Sequence, residues 1–147
     1  MKEESMNIGL IDYDLRNTHS ETFTRILRQW GKVKFGYSEV PDGRSWCDQH
    51  GIKHLECPED VVNQCDAIII LAPNQPEKHQ SLAHHALKSG KPVFVDKILA
   101  DLSQEAASML QTAREFGTPV MSASGLRFAV ELDSFKHIET STIQEFY

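Results

Sequence analysis

The sequence predicts an α/β protein: a doubly wound parallel sheet of about six strands with helices on both faces. The main observation is that short apolar runs alternate with longer amphipathic segments along the chain. Glycine stands at several of the boundaries between these segments, as at Gly31, Gly90 and Gly117. Strands and helices that alternate at this spacing form right-handed βαβ units, and such units build a parallel sheet.

Six segments predict strands by their length and apolar character. The fourth contains Ile68, Ile69 and Ile70, which are β-branched residues typical of a central strand. The predicted strands are residues 7–11, 33–37, 52–55, 66–72, 92–96 and 119–122.

Amphipathic segments predict the helices between these strands. Thr18 to Glu21 matches a capping box, so the first helix should begin at Thr18 and stop at Gly31. Ser103 caps the last helix in the same way, and shorter helices are predicted from Pro58 and within residues 41–50. The apolar faces comprise Phe23, Ile26, Leu27 and Trp30 in the first helix, Leu82, Ala83, Ala86 and Leu87 after Pro76, and Ala106, Ala107, Leu110 and Ala113 in the last.

Composition excludes several classes of function. A chain of 147 residues has the size of one domain, and its net charge of −6 argues against nucleic acid and anionic membranes as partners. No apolar run approaches the roughly 20 residues that a membrane-spanning helix needs. We therefore expect a cytoplasmic protein with a small-molecule partner.

The cysteines and histidines do not predict a disulfide or a metal site. The three cysteines are odd in number and contain no CxxC spacing, so we expect reduced thiols. His50 and His54 lie four residues apart, but Gly51 between them predicts a helix end rather than one continuous ligand face. The cysteines are Cys47, Cys57 and Cys65.

Three stretches of the chain resemble segments of the Gfo/Idh/MocA oxidoreductases, named after glucose-fructose oxidoreductase and inositol dehydrogenase. The first is DAIIILAPN at residues 66–74, followed by His79 and by the Ala-Leu pair at 86–87. The second is SGKPVFVDKILA at 89–100, and the third is GTPVMSASGLRF at 117–128. Their order and spacing are specific, and the resemblance extends from residue 7 to about residue 128.

The sequence also departs from the pattern of that family. Family members usually carry Gly-x-Gly-x-x-Gly after the first strand, whereas this chain has Asp12, Asp14 and Asn17 there. The Glu-Lys-Pro motif has become Asp96-Lys97-Ile98, and His79 lies two residues further from Asn74 than the family spacing implies. The resemblance therefore covers most of the domain but not its nucleotide loop.

The resemblance implies a Rossmann-type domain that binds NAD or NADP. The activity it implies is hydride transfer to or from a sugar- or polyol-like alcohol. It divides the chain into a dinucleotide-binding domain, residues 1–128, and a linker helix that begins a missing substrate domain, residues 129–147. Such a piece should be inactive alone, and any homo-oligomer should form through the missing domain. The alternative is a degenerate Rossmann module, without nicotinamide, that acts as a ligand sensor or scaffold.

Ligands of open parallel sheets bind outside the carboxyl ends of strands one and four, so the loops after Ile11 and Leu71 carry the candidate site. The amides of Thr18, His19 and Ser20 could hold a pyrophosphate at the start of the first helix. Asp12 and Asp14 oppose this, because a carboxylate about 5 Å from a phosphate charge repels it by about 3 kcal/mol at an effective dielectric near 20. Arg16 could neutralise one acid, and a protonated His19 could contact the phosphate. The alternative is that the two acids only brace the turn.

The other candidate residues follow later strands. Glu39, or less favourably Asp42, could bind the ribose hydroxyls, although both could equally be solvated loop acids. No arginine precedes Arg44 at this strand end, which slightly favours NAD over NADP. The resemblance makes Lys97 the catalytic candidate beside the nicotinamide, with a surface lysine as the alternative. The remaining candidates are Ala72, Pro73 and Asn74 at the nicotinamide-side wall, Asp96 beside Lys97, His79 as a cofactor contact or a helix-start hydrogen-bonding residue, and Arg127 and Phe128 at the passage to the second domain.

Overall fold

A computed structural model describes residues 6–29, 31–125 and 130 of the chain. Its strands are β1 Asn7–Asp12, β2 Lys32–Ser38, β3 Lys53–His54, β4 Ala67–Ile70, β5 Val93–Asp96 and β6 Val120–Ala123. All neighbouring strands pair in parallel, in the order β3-β2-β1-β4-β5-β6. The predicted doubly wound parallel sheet is confirmed.

Helices connect the strands on both faces of the sheet. They are α1 Thr18–Leu27, α2 Gly43–Gln49, α3 Pro58–Gln64, α4 His79–Leu87 and α5 Ser103–Glu115, and a 3-10 turn, Pro76–Lys78, precedes α4. One buried cluster joins Trp46 and Cys47 of α2 to Leu10 and Ile69 of the sheet, with Phe23 of α1 packed against it. The other cluster joins α3, α4 and α5 to Ile68, Ile70 and Val95.

The first helix differs from its prediction at both ends. Its N-cap is Asn17 rather than Thr18, because the Asn17 Oδ1 accepts hydrogen bonds from the backbone N–H groups of His19 and Ser20. The helix ends at Leu27, and Trp30 lies outside the described residues. Ile26 is 45% exposed, whereas Ser20 and Thr24 are buried. The apolar pattern missed this face because small polar side chains pack it against the sheet.

The last helix also buries a different face. Ser103 is its first helical residue rather than its cap, and the N-cap position is Leu102, which gives no side-chain hydrogen bond. Met109 and Ala113 are buried, while Leu110 is 38% exposed. The two stripes lie about 100° apart around a helix, and only contact with the sheet decides between them. The predicted passage at Arg127 and Phe128 and the helix from residue 129 lie outside the described residues.

Gly9 lets one of the helices pack closely on the sheet. A Cβ at Gly9 would come within 2.4 Å of Val61 Cγ1, so the absence of a side chain lets α3 cross closely over β1.

Burial raises the pKa of the Cys47 thiol to about 12 and that of Cys65 to about 11, so both stay protonated inside the fold. In the described ranges, no helix is long and apolar enough to cross a membrane.

The carboxylate of Asp12 joins three elements at the end of β1. The residue is fully buried. Its Oδ1 accepts from the backbone N–H groups of Asp14 (3.2 Å) and Ala72 (2.9 Å), and its Oδ2 accepts from Asn17 Nδ2 (2.8 Å) and Ser20 Oγ (3.2 Å). These bonds fasten the β1–α1 loop, the start of α1 and the end of β4 to one side chain. Desolvation raises the pKa of Asp12 above 3.8, although the hydrogen bonds act in the opposite direction.

The substitution Asp12→Asn tests this junction. An amide nitrogen in place of Oδ2 would face the Asn17 Nδ2, so two donors would oppose each other. We expect the free energy of unfolding to fall by about 2 kcal/mol, measured by urea denaturation followed by circular dichroism. In the double variant Asp12→Asn with Asn17→Asp, the new amide at position 12 can donate to the new carboxylate at position 17, which also caps α1. The double variant should therefore recover part of the lost unfolding free energy.

The pH dependence of the unfolding free energy gives a second test of the Asp12 junction. Because the folded pKa is raised, the folded state binds more protons than the unfolded state between pH 3.8 and the folded pKa. Unfolding free energy should therefore fall as pH rises through that window, and Asp12→Asn should remove this component. Equal pH profiles for the two proteins would contradict the assignment.

Candidate functional site

The carboxyl ends of β1, β2, β4 and β5 meet at one edge of the sheet. Because β1 and β4 are neighbours and the chain order reverses between them, this edge contains the crevice where open α/β sheets bind ligands. The structure places at this edge the predicted site residues Asp12, Asp14, Arg16, Thr18, His19, Glu39, Ala72, Pro73, Asn74, Asp96 and Lys97. His79 lies below them in the interior.

The β1–α1 loop is held together by its own hydrogen bonds. Asp14 Oδ1 accepts from the backbone N–H of Arg16 at 3.0 Å and from its Nε at 3.0 Å. The guanidinium also contacts Asp42 at 2.8 Å. The hydrogen bond from Arg16 keeps the pKa of Asp14 below its usual value. Asp12 and Asp14 therefore do brace the turn, and Arg16 does neutralise Asp14.

The acid after β2 is paired rather than free in solvent. Glu39 Oε1 lies 2.7 Å from Lys78 Nζ, and each of these side chains is 36% exposed. This hydrogen bond raises the pKa of Lys78. The Lys78 ammonium also lies over the ring of Tyr13, 5.2 Å from its centroid. Sequence analysis missed Lys78, because no local pattern shows that the turn before α4 lies against the end of β2.

The end of β5 brings Asp96 and Lys97 to this edge. Asp96 is 3% exposed, and its Oδ1 accepts from the backbone N–H of Lys97 at 2.9 Å. Lys97 has a φ of +54°, in the left-handed region that non-glycine residues rarely occupy. Its Nζ donates to the carbonyl of Pro73 at 3.1 Å. The imidazole Nδ1 of His19 lies 2.5 Å from Asp96 Oδ2, so α1 is connected across the end of β4 to β5.

The Gfo/Idh/MocA family model, described as an oxidoreductase family with an NAD-binding Rossmann fold, matches residues 13–124. This match covers most of the chain. The chain belongs to the Gfo/Idh/MocA oxidoreductase family. Among curated proteins, none is significantly similar to this sequence.

Solved structures agree with this assignment at the level of the fold. A probable dehydrogenase from Thermotoga maritima has a TM-score of 0.75 at 18% identity, over 89% of this chain and 39% of its own. Scyllo-inositol dehydrogenase from Lactobacillus casei with bound NAD(H) and scyllo-inositol has a TM-score of 0.71 at 20% identity, over 90% and 40%. Biliverdin reductase from Synechocystis sp. PCC 6803 in complex with biliverdin and NADP+ has 0.70 at 19%, over 91% and 44%. The chain thus spans about two fifths of the length of these structures.

The centre of the crevice differs from the glycine loop usual in this family. The amides that open α1 point at an oxygen, as they would for a phosphate, but that oxygen is the Asn17 Oδ1. A dinucleotide fits the donor geometry only when the Asn17 side chain turns away. Glu39 follows β2, where Rossmann folds in general carry an acid, and Lys97 follows β5, where the family resemblance implies a lysine.

The His79 ring is buried and contacts backbone carbonyls. The ring is 1% exposed, its Nε2 lies 2.7 Å from the carbonyl of Leu71, and its Nδ1 lies 3.0 Å from that of Ile98. It therefore connects the end of β4 to the segment after β5, as the hydrogen-bonding interpretation expects. His84 and His85 are exposed on α4. Among the described residues, no group of three or more metal-ligating side chains could hold a metal ion.

His79→Leu tests this connection. Leucine fills a similar volume but cannot donate the imidazole N–H that bonds one of the two facing carbonyls, Leu71 or Ile98, so unfolding free energy should fall by about 2 kcal/mol in urea denaturation. The matched control is His84→Leu on the exposed face of the same helix, which should change stability little. Equal effects of the two substitutions would show that the buried hydrogen bonds do not stabilise the strand ends.

Proposed function

We propose that this chain is the cofactor-binding domain of an NAD(P)-dependent oxidoreductase that acts on a sugar- or polyol-like alcohol. The observation that carries the proposal is the arrangement after β5, where Asp96 fixes the backbone of Lys97 and its ammonium reaches the carbonyl of Pro73 after β4. A cation beside the end of β4, at the carboxyl edge of a Rossmann fold in a family of oxidoreductases, supports a role for Lys97 in the reaction. The nicotinamide, when bound, supplies the hydride acceptor or donor.

A dinucleotide would lie along the carboxyl edge of the sheet. Glu39 would accept hydrogen bonds from the adenosine ribose, and Ala72, Pro73 and Asn74 would line the nicotinamide side. Thr18 and His19, with Arg16 beside them, would face the pyrophosphate. Glu39 is held in an ion pair with Lys78, and a carboxylate at this strand end favours a free 2′-hydroxyl over a 2′-phosphate.

Lys97 is the residue that we assign to the substrate. Its ammonium donates a hydrogen bond to a backbone carbonyl and can donate the same bond to a substrate oxygen that approaches the crevice. A cation at that place stabilises the negative charge that develops on the oxygen of an alcohol as the hydroxyl proton leaves. Asp96 acts as a positioning residue, because it holds the unusual backbone conformation that directs Lys97 towards β4.

The substrate class is supported by the scyllo-inositol dehydrogenase, whose structure holds a polyol. The biliverdin reductase shows that a similar fold also accompanies a different substrate. We further propose that residues 1–128 form the cofactor domain and that residues 129–147 lead into a substrate domain. Substrate turnover, and any homo-oligomer, would require that domain.

Calorimetric titration with NAD+, NADH, NADP+ and NADPH tests the cofactor. We expect weak binding, with NAD+ and NADH held more tightly than the phosphorylated pair. Absence of binding at millimolar concentrations of all four would reject the proposal and leave a Rossmann module without nicotinamide as the better description.

Glu39→Gln tests the ribose end separately. Loss of the charged acceptor should weaken NAD+ binding about fivefold and narrow the difference between NAD+ and NADP+. Glu115→Gln, on the exposed end of α5, is the control and should bind like the parent protein. An unchanged preference in Glu39→Gln would place the ribose elsewhere.

A further inference from the structure

We propose that the Asn17 side chain closes the pyrophosphate position of the crevice and thereby sets how tightly the domain holds any ligand with a phosphate at its centre. The inference rests on the proposed function, in which a dinucleotide lies along this edge. Asn17 is thus a specificity-determining residue that acts by competing with the ligand for the same backbone donors.

The Asn17 amide group is fully engaged. Its Nδ2 donates to Asp12 Oδ2 at 2.8 Å and to the carbonyl of Asp14 at 2.6 Å. Its Oδ1 accepts from the backbone N–H groups of His19 at 2.9 Å and Ser20 at 3.0 Å. A side-chain amide has two N–H groups and two acceptor lone pairs, so all four positions are used. This set of bonds holds the side chain in one orientation over the start of α1.

The backbone donors of residues 14 to 17, which precede α1, are also occupied. The N–H groups of Asp14, Leu15 and Arg16 bond to Asp12 Oδ1, Ser38 Oγ and Asp14 Oδ1 respectively. The N–H of Asn17 bonds to the carbonyl of Leu15 at 2.9 Å. A phosphate oxygen that takes the His19 and Ser20 amides must therefore displace the Asn17 side chain, and these other amides offer no ready substitute.

The acidic residues of the β1–α1 loop also oppose the binding of a phosphate. Asp12 and Asp14 both lie in the loop, and Asp14 keeps 31% of its side chain exposed. Arg16 is the cation nearest to them in sequence, but its guanidinium holds Asp14 and Asp42 at 2.9 and 2.8 Å. If Arg16 turned to a phosphate, it would leave one of these carboxylates unpaired. The loop therefore offers little net attraction to an anion.

Glycine at position 17 would remove the competitor without straining the backbone, although it also removes one of the two side-chain donors to Asp12 Oδ2. Asn17 has a φ of −140° and a ψ of 165°, an extended conformation that glycine also adopts. Glycine is nearly as good an N-cap as asparagine, so α1 should persist. The amides of His19 and Ser20 would then face an open position.

The test is calorimetric titration of the parent chain, Asn17→Gly and Asn17→Asp with NAD+, ADP-ribose and adenosine. We expect Asn17→Gly to bind NAD+ and ADP-ribose at least about tenfold more tightly than the parent, and Asn17→Asp, which keeps an acceptor and adds a charge, to bind them about tenfold more weakly. Adenosine lacks the pyrophosphate, so its affinity should stay within about twofold in all three proteins.

The outcomes separate this inference from the proposed function. Equal NAD+ affinity in the parent and Asn17→Gly would overturn the competition by Asn17 while leaving the cofactor proposal intact. Tighter adenosine binding in Asn17→Gly would also overturn it, because the effect would then not require a phosphate. Failure of every variant to bind NAD+ would reject both proposals together.

A folding control keeps the test decisive. Circular dichroism and the urea midpoint should show that each variant is folded before titration. If Asn17→Gly does not fold, Asn17→Ala takes its place, because alanine has no side-chain oxygen that could compete for the His19 and Ser20 amides. Its NAD+ affinity should exceed that of the parent, and an equal or lower affinity would contradict the inference.

Discussion

The buried carboxylate of Asp12 is the interaction on which the carboxyl edge of the sheet depends. Four donors from the loop, from α1 and from the end of β4 converge on its two oxygens. A buried carboxylate is tolerated only when its oxygens are hydrogen-bonded, so the fold requires each of these donors to stay in place. The position of α1 and the shape of the β1–α1 loop both follow from this junction.

One consequence is a site whose charges are largely balanced before any ligand arrives. Arg16 lies against Asp14 and Asp42, Lys78 against Glu39, and the His19 ring against Asp96. These pairs stiffen the edge, because each connects two different elements or two parts of one loop. They also reduce the attraction of an anionic ligand to Arg16 and Lys78, because the ligand has to compete with a carboxylate for each of these cations.

A second consequence concerns the strand ends. Ala72 and Lys97 both have positive φ, and each stands directly after the region where β4 and β5 leave the sheet. The backbone N–H of Ala72 bonds to Asp12, and that of Lys97 bonds to Asp96. The His79 ring contacts the carbonyl of Leu71, next to Ala72. Buried side chains therefore maintain conformations that the residues would not adopt alone, as is common at functional sites.

The sequence by itself determined the fold class and the family, and it predicted Glu39, Asp96 and Lys97 as residues of the site. Apolar periodicity and motif spacing are local properties that survive in one dimension. Tertiary structure alone decided that Asn17 rather than Thr18 caps α1, that Met109 rather than Leu110 faces the sheet, and that Lys78 pairs with Glu39. It also decided what replaced the glycines: Asp12 and Asn17 hydrogen-bond to each other and to the amides that open α1. The physical reason is that these contacts join residues whose pairing depends on how the chain folds back on itself, which no local pattern encodes.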